Sequence, residues 1–324
     1  MLLAEDPYIP EEQVGVGPSA KVYRAHEVRE NRLVRLKVLL AEHESPYALD
    51  RDHLADRISQ LKQVRHPRVC RLIALDVQAQ DVSLVSEFAE GLNGWAFSQQ
   101  SRLTSETLRL LSIQLMEALQ AGEVSHSSHG DVKPCNVFIE NRPLDGLILR
   151  LQDWGVGQSR HRQPRETLCF RAPEHDENAP PTVRGDLFSA GATLAALCTG
   201  HALVDGKTKE ELHTAWQEFN SAEWRAMCPH IDKTLLRWLS WLLQIQPEKR
   251  PISASVALAG LSGRMKMTSA EHRPWWMTIL LIVYNLSVIG TLAAFLLWLS
   301  KALSPEGLAQ LWHACVERAS QLIH

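Results

Sequence analysis

The run His129-Gly130-Asp131-Val132-Lys133-Pro134-Cys135-Asn136 places a carboxylate, an ammonium and an amide within six positions, Asp131 to Asn136. A second carboxylate, Asp153, opens Asp153-Trp154-Gly155. Far upstream, Lys37 closes Val34-Arg35-Leu36-Lys37. Before it stands Gly15-Val16-Gly17-Pro18-Ser19-Ala20-Lys21-Val22. Its glycines lack a Cβ, so backbone there can come close to phosphate oxygens. Phosphoryl transfer is mostly positioning plus charge neutralisation, and these residue types suit it. Taken singly, each feature is ordinary. Polar turns, strand lysines and glycine-rich hairpins are common, and only the order along the chain sets these apart.

In that order the motifs resemble those of the eukaryotic-type Ser/Thr protein kinases, in their bacterial style, over roughly residues 8–262. The resemblance implies an α+β, bilobal protein-kinase fold, with a small β-rich N-lobe and a larger helical C-lobe. It also implies ATP and Mg2+ as cofactors and protein Ser/Thr hydroxyls as substrates. Gly15, Gly17 and Val22 would belong to the glycine-rich loop over the nucleotide, with Ala20 in place of its third glycine. Lys37 would neutralise the α- and β-phosphates. Asp131 would orient the substrate hydroxyl and accept its proton, and Lys133 would contact the γ-phosphate. Asn136 and Asp153 would hold magnesium, which takes few carboxylates and shares phosphate oxygens. Glu87-Phe88-Ala89 would form the hinge, with the Ala89 backbone facing adenine and Ser86 as a small gatekeeper. Thr167 and Phe170-Arg171-Ala172-Pro173-Glu174 match the end of the activation segment, with Glu174 paired to a buried Arg250. Asp186 would open the central C-lobe helix and brace the catalytic loop.

The family pattern is broken at several points. Arg35 replaces the small residue over adenine, where a long cation crowds the base unless it snorkels out of the cleft. Counting back from Pro67 puts Arg57 where a lobe-coupling Glu belongs, with Asp56 beside it and Asp52 nearby. Gly130 replaces the arginine that reads a phosphate on the activation segment, and Trp154 replaces a Phe. An intact set of Lys37, Asp131, Lys133, Asn136 and Asp153 implies an active enzyme. The alternative is a pseudokinase scaffold that recruits partners to the membrane, and a small-molecule kinase is a third reading.

The elements that must position these residues are readable from periodicity. Residues 13–89 alternate as short strands around one helix, Asp50 to Val64, in which Leu54, Ile58, Leu61 and Val64 recur at three or four. Two further strands fit 71–78 and 83–90. Beyond Leu103 the pattern turns helical, first over Ser105 to Gly122 with Thr104 or Ser105 as cap, then over 184–200 and 234–246. A β-rich lobe followed by a helical one leaves a cleft, the usual place for a ligand.

With 324 residues and 45% hydrophobic content, the chain has room for one large domain or two ordinary ones. The net charge of −3 without a long single-sign run gives no footprint for nucleic acid. The six cysteines fall in no Cys-x-x-Cys and no zinc spacing, as suits core residues in a reducing compartment. The N-terminus lacks the basic and apolar regions of a signal peptide. From Pro274 to Ser300 there is no charged residue, and Trp275, Trp276 and Trp298 flank the run. Such a length spans a bilayer as a helix with interfacial aromatics. Arg264, Lys266 and Arg273 precede it and Lys301 follows, which places the N-terminal side in the cytoplasm. The expected organisation is a kinase domain over 1–262 (N-lobe 8–89, C-lobe 90–262), a linker over 263–274 and a single-pass transmembrane helix over 275–299. A short extracytoplasmic amphipathic tail follows over 300–324. Gly290 and Ala294 suggest a homodimer through the transmembrane helix. About 24 tail residues are too few for a folded sensor domain.

Overall fold

Strand alternation builds the N-terminal sheet. In β3, Arg32–Leu39, Val34 and Leu36 are buried on one face, while Arg35 and Lys37 fall on the other. The computed structural model describes residues 7–16, 20–39, 59, 61–77, 82–100, 102–154, 168–175, 180–206, 208–264, 290, 291, 293, 299, 300 and 305–321. The other strands of this sheet are β1 (Tyr8–Val16), β2 (Ala20–Glu27), β4 (Leu72–Val77) and β5 (Val82–Glu87). All pairs are antiparallel, in the order β1-β2-β3-β5-β4. Of the helix expected over 50–64, residues 59 and 61–64 are described, and Leu61 and Val64 are buried.

The second half is helical around a three-stranded sheet of β6 (Leu92–Asn93), β7 (Val137–Arg142) and β8 (Gly146–Leu151). Helix α1 covers Gly94–Gln100 and α2 covers Ser105–Val124. Thr104 caps α2 by accepting from the Thr107 amide, satisfying one of the orphan donors of the first turn. Leu108, Leu111, Leu115 and Leu119 of α2 recur at helical spacing and are buried. Each such leucine contributes about 1.5–3 kcal/mol by leaving water.

Helix α3, Val183–Thr199, is buried on every side from Asp186 to Cys198, which makes it the axis of the helical lobe. Thr182 caps it through the Gly185 amide, and it stops at Gly200, whose φ of +77° suits the residue without a Cβ. Helices α4 (Lys209–Gln217), α5 (Ser221–Ala226), α6 (Lys233–Leu242) and α7 (Ala254–Leu261) complete the lobe. The strands expected over 71–78 and 83–90 and the helices expected over 105–122, 184–200 and 234–246 are present, with ends that shift by a few residues.

The chain divides into two compact units, Met1–Ser269 and Ala270–His324. In the second, α8 (Pro305–Gln321) starts at a proline, whose fixed φ suits the first helical position. No helix among the described residues is long and apolar enough to cross a membrane. Of the segment 275–299, only 290, 291, 293 and 299 are described. Gly17, Asp52, Asp56, Arg57, Thr167 and Ala294 also lie outside the described residues.

Candidate active site

Register fixes the upper wall of the cleft. Lys37 lies opposite Val22 on β2 and Leu84 on β5. Arg35 lies opposite Arg24 on β2 and Ser86 on β5. Directly opposed residues share a face, so Val22, Lys37, Arg35 and Ser86 look the same way. Gly15 pairs with Val22 beside a register shift between Gln13 and Gly15.

The hinge assignment falls where β5 ends. Glu87 is its last residue, and 88–90 form no strand before β6 begins. Ala89 is buried. The Glu87 amide donates to the Arg71 carbonyl at 2.9 Å. Its carboxylate pairs with the Arg150 guanidinium and lies 3.6 Å from Arg71 Nε. Arg150 also donates to the Phe88 carbonyl at 3.3 Å. This clamp on the hinge is absent from the sequence reading, and no local signal marks it, because Arg150 lies 63 positions from Glu87.

Below the cleft, the loop 129–136 is fixed by α3. Asp186 accepts from the His129 amide at 2.6 Å and the Gly130 amide at 2.8 Å, the bracing role expected of it. Burial pushes the Asp186 carboxyl up to about 7, against the pull of those two amides. Gly130 has φ of +80°, a conformation that costs glycine little and an arginine more. The substitution at this position thus relieves the backbone. His129 is fully buried and both ring nitrogens are used. Nδ1 accepts from the Asp131 amide at 3.1 Å, and Nε2 lies 2.8 Å from the Gln152 carbonyl. That pair of partners requires the neutral ring with its proton on Nε2. Burial lowers the His129 pKa accordingly.

Asp131, Lys133 and Asn136 form one cluster. Lys133 Nζ is 2.9 Å from Asp131 Oδ2. Asn136 Nδ2 donates to the Asp131 carbonyl at 2.8 Å and to its Oδ2 at 3.1 Å. The 3₁₀ turn Pro134–Asn136 starts with proline and holds this geometry, and the Asn136 carbonyl accepts from Gln152 at 2.8 Å. That last bond ties the loop to the residue before Asp153.

Asp153 has φ of +63°, which aspartate tolerates better than most residues. Arg35 and Lys37 both reach it. Arg35 Nη1 donates to Oδ1 at 2.5 Å and Nη2 to Oδ2 at 3.1 Å, and Lys37 Nζ donates to Oδ2 at 3.0 Å. Arg35 therefore neither lies flat over the adenine space nor snorkels out. It turns inward onto the carboxylate. Burial alone would push the Asp153 carboxyl up, but the two cations outweigh it and hold it well below the usual carboxylate range.

Trp154, next in sequence, is 4% exposed. Its indole Nε1 donates to Ser127 Oγ at 3.0 Å, and its ring meets His129 edge-on with centroids 5.0 Å apart. Space for the larger ring comes from Gly122, where a Cβ would stand 2.1 Å from Trp154 Cζ2. Farther down, Arg250 grips Glu174 through two bonds of 2.6 and 2.8 Å. The Arg250 side chain is wholly buried, whereas that of Glu174 is 31% exposed, so only half of the expected pair is sealed from water.

Asn136 and Asp153 offer the hard oxygen donors that magnesium takes, with Asp131 and Lys133 beside Asn136. By residue type the set fits the ion, but the Arg35 fork engages both Asp153 oxygens.

A five-stranded sheet above a helical lobe, with cations on β3 facing a carboxylate loop below, defines a bilobal fold with a charged cleft between its lobes. The chain belongs to the family described as protein kinase domain, which it matches over residues 8–259. It is 29% identical to the serine/threonine-protein kinase PkaA of Streptomyces coelicolor over 271 residues, covering 77% of this chain and 48% of that protein. It is 28% identical to a probable serine/threonine-protein kinase, At1g54610, of Arabidopsis thaliana, covering 64% of this chain and 37% of that one. The chain spans less than half the length of these two relatives. Among solved structures, residues 1–466 of Rad53 in complex with AMP-PNP align with a TM-score of 0.64 at 23% identity, over 78% of this chain and 64% of that one. The kinase domain of PknI from Mycobacterium tuberculosis aligns at 0.60 and 19% identity, over 80% and 96%. At those identities the two structures share the fold.

Proposed function

We propose that this chain is a Ser/Thr protein kinase that moves the ATP γ-phosphoryl group to Ser or Thr hydroxyls of proteins. The observation that supports this best is the grouping of Asp131, Lys133 and Asn136 on a loop locked by Asp186, with Lys37 and Asp153 paired across the cleft. In this reading Asp131 orients the substrate hydroxyl and takes its proton, and Lys133 offsets charge on the moving phosphoryl group. Lys37 holds the α- and β-phosphates, with Gly15, Gly17 and Val22 above them. The Ala89 backbone meets the adenine. Asn136 and Asp153 would hold magnesium, which supplies charge neutralisation between the phosphates when bound.

The test compares the full chain with Asp131→Ala, using labelled ATP, magnesium and a generic protein substrate. Loss of a positioned acid–base group costs about 10²–10⁴-fold in rate. Equal incorporation by the two proteins refutes the reading. One observation favours a second reading, a pseudokinase scaffold: the Arg35 fork on Asp153. Under it, neither protein incorporates label.

The apolar run 275–299 supports a single-pass anchor, with the kinase unit on the cytoplasmic side and a homodimer through the span. Protease added to intact cells should leave residues 1–262 uncut. Cleavage of that unit from outside reverses the orientation.

A further inference from the structure

We infer that Arg35 is a resident cation in the cleft, competing with divalent metal for Asp153 and making nucleotide binding nearly independent of metal. The inference rests on the reading of this cleft as a nucleotide site.

Strand parity puts Arg35 on the cleft face with Lys37. Its neighbours then decide its direction. Arg24 lies directly opposite on β2, and like charges facing one another repel. Arg24 is drawn the other way, to Glu11 at 3.5 Å. On the other side Arg35 faces Ser86, whose small side chain leaves a long neighbour room to pass. Arg35 therefore reaches across the cleft.

At its end the guanidinium meets Asp153 as a two-pronged fork, the strongest form of this pair. The Arg35 and Asp153 side chains are 12% and 9% exposed, so water and salt screen the pair little. With Lys37, three donors already address one carboxylate. A carboxylate has about four acceptor positions. A metal ion must therefore displace the fork or sit beside two cations that repel it. The three groups together carry a net charge of +1, from two cations and one carboxylate. Such a cluster attracts a polyphosphate without a metal. The ligand it selects is a nucleoside polyphosphate whose charge is met by fixed side chains, with Arg35 setting how much the metal adds.

The experiment titrates the full chain in detergent with a fluorescent ATP analogue, in chelator and in excess magnesium. Arg35→Ala and Arg35→Gln are treated alike. Both variants leave Lys37 on Asp153, so no carboxylate is stranded. For the wild-type chain, magnesium should tighten binding by less than about threefold, and for both variants by about tenfold or more. The variants should also bind more weakly than wild type in chelator. An equal magnesium effect in all three proteins overturns the role of Arg35 and leaves the nucleotide cleft standing. So does a gain of more than about tenfold in the wild-type chain, which needs no variant to interpret. Absence of binding in every protein under both conditions overturns the nucleotide-site reading, and this inference falls with it.

Discussion

Replacing Gly122 by alanine tests how Trp154, and through it Asp153, is held. Alanine is the better helix former, and in the last turn of α2 the exchange should favour folding by at most about 0.8–1 kcal/mol. Packing opposes it. The new methyl would lie 2.1 Å from Trp154 Cζ2, 2.6 Å from Cη2 and 2.6 Å from the Ser127 carbonyl oxygen. The indole has little room to retreat, being tied to Ser127 Oγ and packed edge-on against His129. Overpacking of this kind costs about 1–3 kcal/mol, with the upper end expected because one contact is backbone. The clash wins, and a net loss of about 2 kcal/mol follows. For a unit of this size that lowers Tm by roughly 4–8 °C. Trp154→Phe removes the two crowded ring atoms but gives up the bond to Ser127, worth about 1 kcal/mol net, and some buried area. Combining the two substitutions should therefore cost at least about 1 kcal/mol less than the sum of the single losses. Thermal melts of the full chain and the three variants give the cycle. Additive losses, or an alanine variant as stable as wild type, would show that Trp154 is not seated against Gly122.

Further perturbations address the supports of the site. Arg250→Met should cost about 3–5 kcal/mol, because it strands Glu174 and the carbonyls of Arg184, Gln244 and Ile245 that Arg250 now holds. Glu174→Gln should cost less, about 1–3 kcal/mol, since those carbonyls and the Phe188 ring 4.7 Å away still surround the cation. Equal denaturant midpoints for the two variants would count against the carbonyl cage. His129 gives a pH signature. Its folded pKa is lowered by burial, so the unfolded chain takes up a proton that the native site refuses. The stability it confers is present above the unfolded pKa of about 6.5 and is lost as pH falls, by up to about 1.4 kcal/mol per unit. The stability gap between wild type and His129→Asn should thus narrow from about pH 7.5 to about pH 5.5, as followed by urea unfolding. A constant gap would mean that the ring takes up its second proton equally in the folded and unfolded chain.

The loop 129–136, Lys37 and Asp153 stand out in the sequence because each sits in a short motif whose spacing is local, whereas the Glu174–Arg250 pair, 76 positions apart, followed only from the family resemblance. Thr104 as a cap and the buried stripe of α2 were legible for the same reason, since both follow from neighbours three or four positions away. What stayed hidden depends on partners brought together by the fold. Parity on β3 places Arg35 beside Lys37, yet its carboxylate lies 118 positions away. Trp154 reads as a departure until Ser127, 27 positions back, supplies the acceptor and Gly122 the space. The Arg150 clamp on Glu87 joins two strands that no periodicity connects.

These hidden contacts share a purpose in the energetics of the fold. The N-terminal sheet has a small core of its own, with Ala25, Val34, Leu36 and Val85 as its buried cluster. The larger core runs through the helical lobe and takes in Leu72 from the edge strand β4 and Leu84 from β5 beside it. Strands β2 and β3 contribute nothing fully buried to that larger core. Strand β3 is instead joined to the lower lobe by ions, Arg35 and Lys37 on Asp153, while Arg150 on Glu87 secures the end of β5. Ion pairs that are mostly buried are strong only while every member keeps its partner. A ligand that draws Arg35 or Lys37 away from Asp153 must replace that link with its own charge. On the nucleotide-site reading, polyphosphate entry and lobe coupling would be one event at Asp153, with Arg35 setting the balance between them.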